Sequence, residues 1–171
     1  DQTQALDQRG DLADQLGLPV HLAVIPAFVQ DGLVAAVSNL PLIPVVHGWS
    51  HHNHAHPSAK KAEYPASRSL EDMKTEVANS LTDLSEMFGD TLYPMFVPPW
   101  NRISPVLLPE LPKIGYSALS TFTPRSAPCA ARGLLQINTH LDPIAWHSGK
   151  SLVDPTILIA QVARQLADRR L

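Results

Sequence analysis

Residues 21–47 read HLAVIPAFVQDGLVAAVSNLPLIPVVH, and this stretch decides the fold class. Two apolar runs of strand length, 21–25 and 42–47, flank a segment at 30–38 that has the composition of a short helix. A strand, a helix and a second strand in succession form the repeating unit of a parallel sheet. The stretch therefore predicts an α/β protein in which helices pack outside parallel strands.

The same alternation continues on both sides of this stretch. A helix is predicted at 4–16, and a stripe of apolar residues at three- and four-residue steps predicts a long helix between Ser69 and Gly89. Three more strands and a short, proline-interrupted helix follow. The strands are predicted at 92–97, 116–121 and 134–140, and the short helix at 104–111.

The two ends of the chain carry further expectations. Asp154 is expected to cap the last helix, with Pro155 at its first position. That helix is expected to bury three residues of its apolar stripe, Leu158, Val162 and Leu166. At the front, the series opens with a helix, although a helix of this repeat normally follows the strand on which it packs. We therefore expect that one strand precedes Asp1.

Length and composition fit one globular domain spanning residues 1–171. Hydrophobic residues make up 44% and charged residues 17%, which excludes a mainly disordered chain. The formal charge is −3, so no long-range field attracts nucleic acid. The sequence has no membrane-length apolar run, and its single cysteine, Cys129, excludes an internal disulfide. We expect a cytoplasmic protein without nucleic-acid or membrane partners.

Five of the eight histidines fall in the ten residues HGWSHHNHAH (47–56). His47 closes an apolar strand and His51 follows four residues later, so one tight loop can direct both imidazoles at a common point. Neutral imidazole is a preferred ligand of zinc and related ions. The spacing predicts a metal site at His47 and His51, with a third ligand from elsewhere. The three later histidines of the run, His52, His54 and His56, are expected to be polar loop residues.

Other polar and rigid groups also follow predicted strands. Trp100 and Arg102 follow the third strand, and His140 and Asp142 follow the fifth. Because the loops after parallel strands meet at one edge of a sheet, we expect these residues to share a rim with His47. Trp100 offers a flat apolar face that suits a sugar ring, and Arg102 is expected to hold a neighbouring carboxylate.

Three segments of the sequence resemble one known family. HGWSH (47–51) resembles the His-x-x-x-His metal motif of NodB-type polysaccharide deacetylases, which are similar to carbohydrate esterase family 4. VPPWNR (97–102) resembles the proline–aromatic segment that lines their groove. NHAHPSAKKAE (53–63) is similar to a small bacterial subgroup of these proteins. The likeness covers nearly the whole chain.

This resemblance implies a distorted (β/α)7-type barrel, incomplete here at its N-terminus. It implies an ion held by one Asp and two His, which match His47 and His51, and a late-strand general acid, which matches His140. The groove segment implies substrate contacts from Pro99, Trp100 and Arg102. The cofactor implied is a divalent ion, zinc first, with cobalt, nickel or manganese as alternatives.

The sequence departs from the family pattern in two places. No Asp–Asp pair lies near its start, although that pair supplies the metal aspartate and the catalytic base in the family. The segment 120–124, STFTP, lacks the Asp that often tunes the acidic histidine. The first departure coincides with the expected missing strand, which favours a chain that begins after the pair. The alternative is a protein that cannot catalyse.

The sequence as a whole predicts a metal-dependent hydrolase that removes N-acetyl or related acyl groups from an amino sugar or polysaccharide. Its partner would be a carbohydrate or a small acetylated substrate, and the oligomeric state stays open. Three alternatives remain: a barrel that binds sugar or metal without turnover, a metal hydrolase of small amides or esters, and a histidine-rich loop that binds metal adventitiously.

Overall fold

The computed structural model describes residues 2–122, 124–146, 149 and 151–168. The first half of the chain forms α1 (Gln2–Leu16), β1 (Val20–Val24), α2 (Asp31–Ser38), β2 (Leu42–Val46) and the long helix α3 (Leu70–Phe88). The second half forms β3 (Met95–Phe96), α4 (Leu111–Ile114), β4 (Ala118–Leu119), β5 (Cys129–Ala131), β6 (Leu134–Gln136), β7 (Ile144–Ala145), β8 (Ser151–Leu152) and α5 (Pro155–Asp168).

Six strands form one sheet in the order β1-β2-β3-β4-β6-β5. Within the run β1-β2-β3-β4-β6, every pair of neighbouring strands is parallel. Strand β5 pairs antiparallel with β6 at the edge of the sheet. The predicted α/β class with a mostly parallel sheet is therefore confirmed. Within the described residues the sheet is open, with β1 and β5 at its edges, so closure into a barrel is not confirmed.

The strand register aligns the carboxyl ends of the parallel strands. One row of paired residues crosses the sheet: Val24, Val46, Phe96, Leu119 and Gln136. The residues that come next along each strand, among them His47 and Val97, lie at what we call the C-terminal edge of the sheet. The loops that follow β2 and β3 therefore begin side by side.

Helix α3 covers the sheet with the apolar stripe that the sequence predicted. The Ser69 side chain caps its first turn by accepting a hydrogen bond from the Asp72 amide, and Gly89 ends the helix at a positive φ of 55°. Its buried residues are Met73, Val77, Ser80, Leu84 and Phe88. This stripe packs into the main core, where the rings of Tyr64, Phe96 and Tyr116 stack edge-to-face.

Helix α5 begins as predicted but does not bury its stripe. Asp154 Oδ1 accepts a hydrogen bond from the Thr156 amide at 2.7 Å, which caps the helix and lowers the pKa of Asp154. Val162 is 38% exposed and Leu166 is 54% exposed, so the prediction of a buried stripe is wrong. Helical spacing places these side chains on one face, but no described element covers that face.

No helix among the described residues is long and apolar enough to cross a membrane.

Candidate functional site

His47 follows the last residue of β2 and belongs to the C-terminal edge. Its amide donates to the Val24 carbonyl at 2.8 Å, and its ring Nδ1 lies 2.8 Å from the carbonyl oxygen of Val97. A carbonyl only accepts, so Nδ1 carries the proton and Nε2 keeps its lone pair for a ligand. Burial lowers the pKa of His47, which favours the neutral ring that binds metal ions.

His51 lies beside His47, as the spacing predicted. It adopts a positive φ of 55°, and its ring centre lies 5.2 Å from that of His47. Two imidazoles that hold one ion at nitrogen–metal distances of about 2.0–2.1 Å have ring centres roughly 5 Å apart. The observed separation fits a shared ion, and the metal role of the pair remains a prediction.

The ring of Trp100 also lies next to that of His51. The two ring centres are 4.3 Å apart, and Trp100 lies on the short 3₁₀ turn Pro99–Asn101, which follows β3. Trp100 and Asn101 both have positive φ, 55° and 58°, so the backbone turns sharply here. Trp100 is partly buried, and the remainder of its side chain stays accessible to solvent or a ligand. The expected neighbourhood of Trp100 and the histidine pair is therefore found.

Pro99 and Arg102 have structural partners that the sequence did not predict. Pro99 is buried, and its ring packs against Gly48 in the loop between the two histidines. Arg102 Nη1 donates to the main-chain oxygen of Lys61 at 2.8 Å, and among the described residues it forms no ion pair. The described residues show no carboxylate partner for Arg102, and the expectation that it holds one stays a prediction.

Glu63 is a site residue that the sequence analysis missed. Its side chain is fully buried, and its carboxylate accepts hydrogen bonds from the amides of Trp49 and Ser50 at 3.3 and 2.7 Å and from the Ser50 hydroxyl at 3.2 Å. These donors lie in the turn between His47 and His51. In the sequence, Glu63 follows two lysines and looks like part of a solvated loop, so no local signal identifies it.

Comparisons with known proteins bear on the fold. No protein-family model matches the sequence, and no curated protein matches it. A provisionally assigned polysaccharide deacetylase from Mycobacterium smegmatis superposes with a TM-score of 0.68 at 14% identity, over 96% of this chain and 59% of that one. IcaB from Ammonifex degensii gives a TM-score of 0.61 at 16% identity, over 91% of this chain and 65% of that one.

The chain has the fold of the polysaccharide deacetylases. The resemblance that the motifs predicted is confirmed at this level, because both superpositions cover more than nine-tenths of the chain. The chain spans 59% and 65% of the lengths of the two matched structures. At such low identities the comparison establishes the fold and leaves the activity to be argued from the site.

His140 occupies the late position that the deacetylase resemblance assigns to a general acid. It follows Thr139, which pairs with Phe122, and its carbonyl accepts a hydrogen bond from Gln165 Nε2 in α5 at 3.3 Å. Strand β6 is three strand positions from β2, or about 14 Å along a flat sheet. The described ring contacts do not join His140 to the histidine pair, so its catalytic role remains a prediction.

The remaining histidines of the loop point to solvent, as expected. His52 and His54 are exposed, with ring centres 4.8 Å apart. Partial burial and the nearby Arg68 lower the pKa of His54. His56 is also exposed, and its Nδ1 lies 2.7 Å from the Ser58 hydroxyl. These contacts are local to the loop.

The described residues provide two metal donors rather than a complete set. His47 and His51 present two imidazole rings at a suitable separation, so they fit a divalent ion in ligand type and spacing. Within the described ranges, no three or more His, Cys, Asp and Glu side chains are grouped so that they could hold an ion. A catalytic zinc usually has three protein ligands, so a further donor is needed.

Proposed function

We propose that this chain carries the metal and substrate site of a hydrolase that removes N-acetyl or related acyl groups from an amino sugar or polysaccharide. The observation that carries the proposal is the pair His47 and His51, which lie side by side next to Trp100 at the C-terminal edge of a deacetylase fold. Active sites of parallel α/β folds lie at this edge. The barrel that the family resemblance implies belongs to the same proposal.

In this proposal His47 and His51 hold a divalent ion through their free ring nitrogens. The Val97 carbonyl keeps the His47 ring in the required tautomer and orientation. When bound, the ion would polarise the acyl oxygen and make water easier to deprotonate. Zinc is the first candidate because imidazole suits it, and cobalt, nickel and manganese are alternatives.

Other residues would bind the sugar and move protons. The accessible part of Trp100 would stack on a sugar ring, with Pro99 and Arg102 shaping the turn beneath it. His140 would protonate the leaving amine, because imidazole is a side chain suited to general acid catalysis near neutral pH. In the family that the motifs resemble, an Asp–Asp pair supplies the third metal ligand and the general base.

The test measures acetate release and metal content together. The 171-residue chain, and any longer natural form that carries an upstream carboxylate pair, would be loaded with Zn²⁺ and supplied with acetylated glucosamine oligomers. We expect the longer form to release acetate and to lose both activity and Zn²⁺ after His47→Ala. Full activity in His47→Ala, or no bound metal under zinc-replete conditions, would refute the proposal.

A second candidate is a sugar- or metal-binding protein without turnover. It is favoured by one observation, that the described residues supply two imidazoles but no complete ligand set. This candidate predicts that Zn²⁺ and acetylated oligomers bind to every natural form of the protein while no acetate appears. A panel that also includes small acetylated amides distinguishes both candidates from a hydrolase of small substrates, which would release acetate from the small amides but not from the oligomers.

A further inference from the structure

Residues 61–64 form a strap that is bonded to both loops of the candidate site. On one side, the Ala62 carbonyl accepts a hydrogen bond from the His54 amide at 2.9 Å. On the other side, the Tyr64 carbonyl accepts one from the Ser104 amide at 2.8 Å, beyond the Trp100 turn. Glu63, between them, therefore lies where the histidine loop and the tryptophan turn meet.

The carboxylate of Glu63 is turned into the histidine loop. A buried carboxylate is unfavourable unless hydrogen bonds satisfy it. Here Oε1 accepts from the amide and the hydroxyl of Ser50, and Oε2 accepts from the amide of Trp49. Successive main-chain N–H groups that converge on an anion hold a turn in one conformation. The three donors thus fix the backbone between the two histidines.

The close approach of Glu63 also explains the glycine in this turn. Gly48 has a positive φ of 64°, and a Cβ built there would overlap Glu63 Oε2 and lie 2.7 Å from Pro99 Cδ. The turn is therefore packed on one side by the carboxylate and on the other by the tryptophan turn. Both contacts act on the residue directly after His47.

Glu63 does not itself complete the metal site. Its two oxygens are occupied by the donors of Trp49 and Ser50, and no group of three His, Cys, Asp and Glu side chains in the described ranges could hold an ion. Its main-chain oxygen accepts from Arg68 Nη1 at 3.1 Å, and Arg68 also pairs with Glu76 in α3. The strap is thereby anchored to the core helix.

We propose that Glu63 is a positioning residue, which sets the separation and orientation of the His47 and His51 rings by holding the turn between them. The inference rests on the proposed metal role of that pair. It predicts that Glu63 controls metal affinity without contacting the metal. Partners that orient metal ligands in this way typically change affinity 10- to 100-fold when they are substituted.

The test compares Glu63→Gln with Glu71→Gln in the 171-residue chain. Glu63→Gln keeps the side-chain volume but turns one acceptor into a donor that faces an N–H group. We expect Zn²⁺ affinity, measured against a chromophoric chelator, to fall about 10- to 100-fold, and the visible spectrum of bound Co²⁺ to change. Glu71→Gln weakens the exposed Glu71–Lys74 ion pair on α3, which forms no hydrogen bond with the strap, and it is expected to keep the wild-type affinity and spectrum.

A metal-free readout separates this inference from the proposed function. In the apo protein, Glu63→Gln should shift the NMR amide signals of Trp49 and Ser50 and the ring signals of His47 and His51. Ser50→Ala, which removes one donor only, should give smaller shifts of the same sign. Unshifted signals together with unchanged affinity would overturn the inference. Absence of Zn²⁺ binding by the wild-type chain would count against the proposed function, and the apo signals would still decide the role of Glu63.

Discussion

Replacing Gly48 by alanine tests the packing of the histidine loop in quantitative terms. The residue has a φ of 64°, and an added Cβ would overlap the Glu63 carboxylate and come within 2.7 Å of Pro99 Cδ. A left-handed conformation costs a residue with a Cβ about 1–2 kcal/mol. An extra methyl group in a packed region costs about 1–3 kcal/mol more. We therefore expect Gly48→Ala to lower the free energy of unfolding by about 2–5 kcal/mol.

Gly17→Ala provides the matched control. Gly17 has a similar φ of 60°, but no heavy atom lies within 4 Å of a Cβ built there. The control should therefore lose only the backbone contribution, about 1–2 kcal/mol. Urea unfolding of both variants and the wild type, followed by circular dichroism, measures the difference. Equal losses for the two variants would show that Glu63 and Pro99 do not crowd Gly48, and would refute the packing described here.

Three further substitutions test other contacts. Trp100→Ala should raise KM for an acetylated oligosaccharide about 5-fold, because stacking on an aromatic ring contributes on the order of 1 kcal/mol. An unchanged KM would exclude the stacking role. The Tyr116 hydroxyl donates a hydrogen bond to the Val77 carbonyl at 2.8 Å, so Tyr116→Phe should lower the free energy of unfolding by about 1 kcal/mol. An unchanged free energy of unfolding would contradict that hydrogen bond. The hydrogen bond from the Thr156 amide lowers the pKa of Asp154. The capping carboxylate therefore stabilises the folded protein at pH values above the ordinary aspartate pKa, and this stabilisation is lost as the pH falls through the lowered pKa. The stability difference between wild type and Asp154→Ala should therefore be present at pH 7 and shrink in acid, and a difference independent of pH would contradict the assignment.

The long helix α3 could be predicted closely because local residues define its ends. Ser69 caps the start of the helix and Gly89 ends it, and the apolar residues between them keep a single helical spacing throughout. The later strands were predicted too long. The prediction 92–97 covers β3, but only Met95–Phe96 belongs to the ladder. An apolar run indicates burial, whereas strand length depends on partners elsewhere in the chain.

The stripe of α5 illustrates the same limit. The helical period of the sequence predicted that Val162 and Leu166 share one face of α5. The two residues do share a face, but that face is exposed rather than buried. A sequence pattern states which residues point in the same direction, but it does not state which element covers them.

The candidate site was predictable only in its local part. His47 and His51 are four residues apart, so their pairing could be inferred from one loop, and Trp100 followed from the rule that loops meet at one edge. The role of Glu63 depends on a contact across 13 or 14 residues with the amides of Ser50 and Trp49. Nothing near Glu63 in the sequence indicates that its carboxylate is buried.

The most direct test of the central claim is a double-mutant cycle for Zn²⁺ affinity on His47 and His51. If both rings hold one ion, the single alanine variants and the double variant should lose nearly the same binding free energy, because either change removes the shared site. Competition with a chromophoric chelator gives the four affinities. Independent, additive losses, or a single variant that binds as tightly as the wild type, would contradict a shared ion at this edge of the sheet.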